Sequence, residues 1–183
     1  TGLKVYGEGE WKMRKHGKEK RRTWRKLHLG VDGKKHFILC ADMSVEGLGD
    51  NQALPSMLRP LRRRIGRVYG DGAYDTKQCH DEIAKKKAIP RIPPRSNAGY
   101  WKGEHPRNEA VAALKAGGLE TWKKESGYHR RSIGETAMWR YKVMTGDKLR
   151  LRDYNAQVGE SLARVAALNK MTGLGMPDSE MVR

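Results

Sequence analysis

The sequence predicts an α/β domain, on three observations. Short apolar runs of strand length alternate with segments whose apolar residues recur at helical spacing. Turn and cap residues punctuate them at Asp32-Gly33, Asp50, Gly70-Asp71-Gly72, Pro93-Pro94 and Gly117-Gly118. A length of 183 residues with 37% hydrophobic content suits one modest core. No apolar run approaches the ~20 residues that a membrane span requires.

Leu27, Leu29 and Val31 alternate with polar residues, Asp32-Gly33 supplies a tight turn, and residues 36–42 come next as a β-rich run. Together they predict an antiparallel hairpin. Asp50 is a cap for a helix whose apolar positions are Ala53, Leu54, Met57, Leu58 and Leu61, with Arg62-Arg63-Arg64 at its C-terminal end. A strand from Ile65 to Tyr69 then enters Gly70-Asp71-Gly72. Asp75 or Thr76 opens a helix containing Cys79 and Ile83, with Asp75 read as its cap, and a short strand lies around Ile89 to Ile92. Residues 93–106 form a basic, Gly- and Pro-punctuated loop, residues 107–116 a helix, and a further helix begins at Tyr128. The last helix is expected over about residues 155–170, closing a domain of residues 1–171, with 172–183 a flexible tail.

Lys and Arg number 38 against 21 Asp and Glu, a formal charge of +17 that is spread from Lys4 to Arg183. A field of that sign implies a polyanion, most simply nucleic acid, without distinguishing an enzyme from an architectural binder. Cys40 and Cys79 lie far apart, with no paired-cysteine or histidine spacing for zinc, so both are expected to be buried thiols of a reducing cytoplasm. The chain starts at Thr1 with no signal-peptide pattern, and is expected to be part of a longer protein.

The densest pattern is Tyr128, Arg131, Glu135 and Lys142. On a helix their offsets place all four within an arc of roughly 60° along about 20 Å of axis. Ile133, Ala137, Tyr141 and Met144 then form the apolar back. The same stripe also fits a solvated face in which Arg131 pairs with Glu135 across one turn. Asp71 has two readings as well: a carboxylate at a strand end, where flanking glycines let metal and phosphate approach, or a turn aspartate.

The spacing Y-x-x-R-x-x-x-E-x-x-x-x-x-x-K resembles the region around the last acidic residue of bacterial insertion-sequence transposases with a DDE active site. The segment from Thr1 to Trp11 resembles the stretch just after Asp-Ser in the insertion sequence five family, in members of the 903 type. The resemblance implies a ribonuclease-H-like fold missing most of its first strand, and extends over nearly the whole chain. It makes Asp71 and Glu135 catalytic metal ligands, with Mg²⁺ or Mn²⁺ as cofactor. The first catalytic Asp is expected about two residues before Thr1, outside the sequence. Tyr128, Arg131 and Lys142 are implied to position DNA. Trp101, beside Tyr100, either stacks on an unpaired base or packs its loop onto the core.

The resemblance thus implies the catalytic part of a DNA transposase. The intact parent cleaves phosphodiesters at element ends and joins the 3′ hydroxyl to target DNA, as a homodimer in the transposition complex and at the nucleoid. The chain by itself is expected to be inactive. The alternative is a non-enzymatic basic nucleic-acid-binding relic.

Overall fold

A computed structural model describes residues 2–5 and 24–175. In chain order its elements are β1 (Gly2–Val5), β2 (Trp24–Val31), β3 (Ile38–Val45), α1 (Asp50–Leu58), β4 (Arg67–Tyr69), α2 (Lys77–Lys85), β5 (Ile89–Arg91), α3 (Arg107–Lys115), α4 (Leu119–Glu125), α5 (Ser132–Thr145), β6 (Lys148–Leu149) and α6 (Tyr154–Leu174). Two 3₁₀ turns, Gly72–Tyr74 and Tyr128–Arg131, precede α2 and α5. The chain divides into two compact units, one formed by the residues up to Glu46 with those from Thr136 onward, the other by Gly47–Glu135.

The first unit is built on a four-stranded sheet in the order β3-β2-β1-β6. Strands β2 and β3 form the expected hairpin, with the Asp32 carboxylate accepting from the Lys34 and Lys35 amides across the turn at 2.7 and 3.0 Å. Alternation puts Leu27 into a core with Leu3, Val5, Ile38, Met43, Tyr141, Leu149, Val165 and Leu168. The opposite face is covered at its middle, because His28 is buried and hydrogen-bonded to Ser44 at 2.9 Å. Gly2–Val5 form a short strand that pairs antiparallel with Trp24, Arg25 and Lys26 at one end of β2 and parallel with β6. The rest of the Thr1 to Trp11 segment lies outside the described residues.

Helix α6 runs through Leu174, with Thr172 buried and accepting from the Arg140 guanidinium at 3.2 Å. Residues 172–174 therefore continue the helix where a tail was expected, and 176–183 lie outside the described residues.

The second unit has its own core of Leu54, Leu58, Cys79, Ile83, Ala88 and Ile92, beside a two-stranded parallel sheet of β4 and β5. Helix α1 stops at Leu58, so Arg62-Arg63-Arg64 lie beyond it. Pro60, which has no amide hydrogen to extend the ladder, comes directly after its cap. Its N-cap is Gly49, with Asp50 in the first turn. The thiols differ. Cys79 is fully buried and donates to the Asn51 carbonyl, whereas Cys40, expected to be buried, is half-exposed, and partial burial pushes its pKa to about 11.

Candidate active site

Strand β4 delivers the chain to Gly70, which is buried where an added Cβ would stand 3.0 Å from the Tyr74 ring. A side chain there would force the Tyr74 ring to shift by a few tenths of an ångström. Asp71 comes next in an extended conformation and caps the 3₁₀ turn, its Oδ1 accepting from the Ala73 amide at 2.9 Å. Its Oδ2 has no protein partner among the described residues, and the carboxylate is half-exposed. The strand-end reading and the turn reading of Asp71 thus describe one residue: one oxygen holds the turn and the other is open.

Gly127 enters the second 3₁₀ turn at φ 68°, a left-handed conformation that glycine adopts without strain, and its open side faces the Tyr69 hydroxyl. Tyr128 and Arg131 therefore stand on a 3₁₀ turn, not on the α-helix that their spacing predicts. The two residues nevertheless meet Glu135, the fourth residue of α5. Arg131 Nη2 lies 2.8 Å from Glu135 Oε1, and its guanidinium sits 5.7 Å from the centre of the Tyr128 ring.

The Tyr128 phenol ties these pieces together. Burial raises its pKa first; Arg131 and Lys123 lower it, while the charges of Asp71 and Glu135 raise it, and the net shift is upward. Both carboxylates thus lie within electrostatic reach of one hydroxyl, inside the second unit. A phenol so placed stays protonated at neutral pH and is a hydrogen-bond donor.

Lys142 stands two turns after Glu135 on the same helix, without an ion-pair partner among the described residues. The apolar back of α5 is partly as read, with Ala137 and Tyr141 buried, but Met144 in the last turn is 48% exposed and Arg140 is buried beside Tyr141.

Trp101 is packed into its own loop. The Arg107 guanidinium lies 4.2 Å from its ring centre, and the rings of His80 and His105 meet it edge-on at 5.1 and 4.7 Å. Tyr100 is 53% exposed, with the Lys115 ammonium over its ring.

The sequence reading missed the partner of this loop. Asp75, read as a helix cap, is buried, and the cap of α2 is Thr76. Arg107 grips Asp75 through two hydrogen bonds, one from Nε and one from Nη2 at 2.7 Å, while His80 Nε2 lies 3.2 Å from Oδ1 and the Arg95 amide donates to Oδ2. Burial alone would raise the Asp75 pKa. The hydrogen bonds from His80 and Arg107, the Arg107 charge and the Arg95 amide outweigh it and hold the carboxyl well below the usual range. Arg95 also donates from Nε to the Gly72 carbonyl at 3.2 Å, so the basic loop fastens the turn that carries Asp71.

Residues 1–170 match the family of the transposase DDE domain. The chain belongs to that family. No solved structure matches it. A DDE transposase domain acts on DNA and generally uses divalent metal ions, which favour carboxylate oxygens. Asp71 and Glu135 offer oxygens of that kind, and the charge of each acts to raise the Tyr128 pKa. Among the described residues no group of three or more Asp, Glu, His or Cys is placed to hold an ion, so the DDE domain shows two fitting donors and not a complete set.

Proposed function

We propose that this chain supplies the catalytic part of an insertion-sequence transposase of the insertion sequence five type, on a ribonuclease-H-like core, in which Asp71 and Glu135 are the two carboxylates that take Mg²⁺ or Mn²⁺. The observation that carries the reading is that Asp71, with one carboxylate oxygen left open among the described residues, and Glu135, paired with Arg131 beside Tyr128, belong to one compact unit although 64 positions separate them. The resemblance implies a third carboxylate about two residues before Thr1. A divalent cation held there would offset charge developing at a DNA phosphate and lower the pKa of a water.

The chain's own residues do the positioning. Arg131 holds Glu135 by a charge-assisted bond until a stronger cation competes for the carboxylate. Tyr128, kept neutral, donates to a phosphate oxygen, and Lys142, about 10 Å further along α5, contacts the backbone one or more nucleotides away. Trp101, its ring face already covered by Arg107, supports the loop, and Tyr100 is the better exposed ring for contact with DNA. The parent works on element ends and target DNA as a homodimer.

The test is nicking of supercoiled plasmid by the chain extended upstream through the third carboxylate. Mg²⁺-dependent nicking that disappears in both Asp71→Asn and Glu135→Gln is the expected result. Nicking that survives both substitutions, or DNA binding with no nicking in any extended form, overturns the assignment, and the latter favours a non-enzymatic binder.

A further inference from the structure

Trp139 and Arg140 reverse the ordinary preference of their side chains. Arg140 is 8% exposed and hydrogen-bonds to Thr172, whereas Trp139 is 64% exposed. Large aromatic rings are well buried on average, and arginine is seldom fully buried unless paired. The other described tryptophans obey the rule: Trp24 lies under the Lys4 ammonium, Trp101 is enclosed by Arg107 and two histidines, and Trp122 is 7% exposed. Trp139 is exposed and makes no ring contact among the described residues, and Val143, one turn on, is 61% exposed.

Its position along α5 supplies the partner. Trp139 and Glu135 belong to one continuous helix, so helix geometry fixes their spacing at four residues, about 6 Å along the axis and ~40° around it. Helical side chains lean toward the N-terminus, so the indole leans toward the turn that carries Glu135. Lys142, with no ion-pair partner among the described residues, lies on the other side of Glu135 by only ~20°. A cation and an unoccupied aromatic face beside one carboxylate match the two parts of a nucleotide, since phosphate is drawn to the ammonium and a base stacks on the ring. In a chain of net charge +17, that combination fits nucleic acid better than a second copy of the same cationic surface.

We propose that Trp139 is a stacking platform for an unpaired base on a nucleotide adjoining the phosphate brought to Glu135, and so a positioning residue for strand cleavage or transfer. The proposal rests on the transposase reading of Glu135, deepens it, and can be tested without catalysis. The full chain, with no metal added, is titrated with a duplex oligonucleotide bearing a short 3′ overhang that carries 2-aminopurine at one overhang position at a time, with a blunt duplex as control. Expected are quenching of the probe at one position, quenching of tryptophan emission, and about tenfold tighter binding of the overhang than of the blunt duplex. Trp139→Ala should abolish the position-specific quenching and that preference, Trp139→Phe should keep most of both, and the melting temperature should change little because the side chain is mostly exposed.

Equal preference for the overhang in Trp139→Ala and in the original chain overturns the proposal. So does wild-type binding that never distinguishes overhang from blunt DNA. A dimer that Trp139→Ala dissociates, with overhang binding intact, also overturns it and assigns the Trp139–Val143 face to a second copy. None of these results touches the nicking test of Asp71 and Glu135, so the stacking role and the catalytic role can fail separately.

Discussion

Asp71 and Asp75 bracket a single 3₁₀ turn and differ in every physical respect that matters. Asp75 is buried, meets two donors of Arg107 together with His80 and the Arg95 amide, and is held ionised below the usual carboxylate range. Asp71 is half-exposed, uses one oxygen for a neighbouring amide and leaves the other without a partner among the described residues. Four positions apart, one carboxylate is committed to holding the chain together and the other is kept available. A buried charge is tolerated only when its lone pairs are matched, whereas a ligand must retain lone pairs to give away.

The largest effect should come from breaking the committed end. Arg107→Ala leaves a buried carboxylate uncompensated and should destabilise the second unit by about 3–5 kcal/mol in urea unfolding. A loss below about 1 kcal/mol would erase the contrast with Asp71. Next comes acid. Because the folded-state pKa of Asp75 is depressed, its contribution is present above about pH 4 and fades as pH falls through the folded value. Asp75→Asn should flatten the acid limb of the stability curve, and an unaltered limb would place the titrating group elsewhere.

At the available end, Asp71→Asn should change stability by no more than about 0.5 kcal/mol, since the amide oxygen can still cap the turn, while abolishing nicking in the extended protein. A stability loss as large as that of Arg107→Ala would make Asp71 a structural residue after all. The smallest effect expected is on binding: Lys142→Ala should lower the salt slope of duplex DNA affinity by about one unit. An unchanged slope and affinity would leave Lys142 merely solvated.

How much of this was legible depended on how local each signal was. The β2–β3 hairpin arises from alternation at Leu27, Leu29 and Val31 and a turn residue between the strands, all within a short window. The β4 strand, the glycines around Asp71 and the pairing of Arg131 with Glu135 were equally local. Asp75 was misread because its partner Arg107 lies 32 residues away and no periodicity links the two. The residues of strand β1 were not located for a related reason: it has four residues, and one of its neighbours is the two-residue β6 from the far end of the chain. The break between Tyr128–Arg131 and α5 was invisible because 3₁₀ and α turns present nearly the same stripe over one turn. Trp139 gave no signal at all, since a tryptophan at helical spacing is ordinarily read as core.

The parallel pairing of Lys4 with Lys148 and of Val5 with Leu149 has a kinetic side. The second unit is one contiguous segment, so its core can collect from nearby residues, but the first unit must bring its two halves together across that entire segment. Closing so long a loop costs entropy before any contact repays it, and topologies rich in distant pairings fold slowly. Residues 47–135 should therefore acquire amide protection first during refolding. The β1–β6 seam should form last, making strand completion, and not helix formation, the slow step by which the first unit becomes whole.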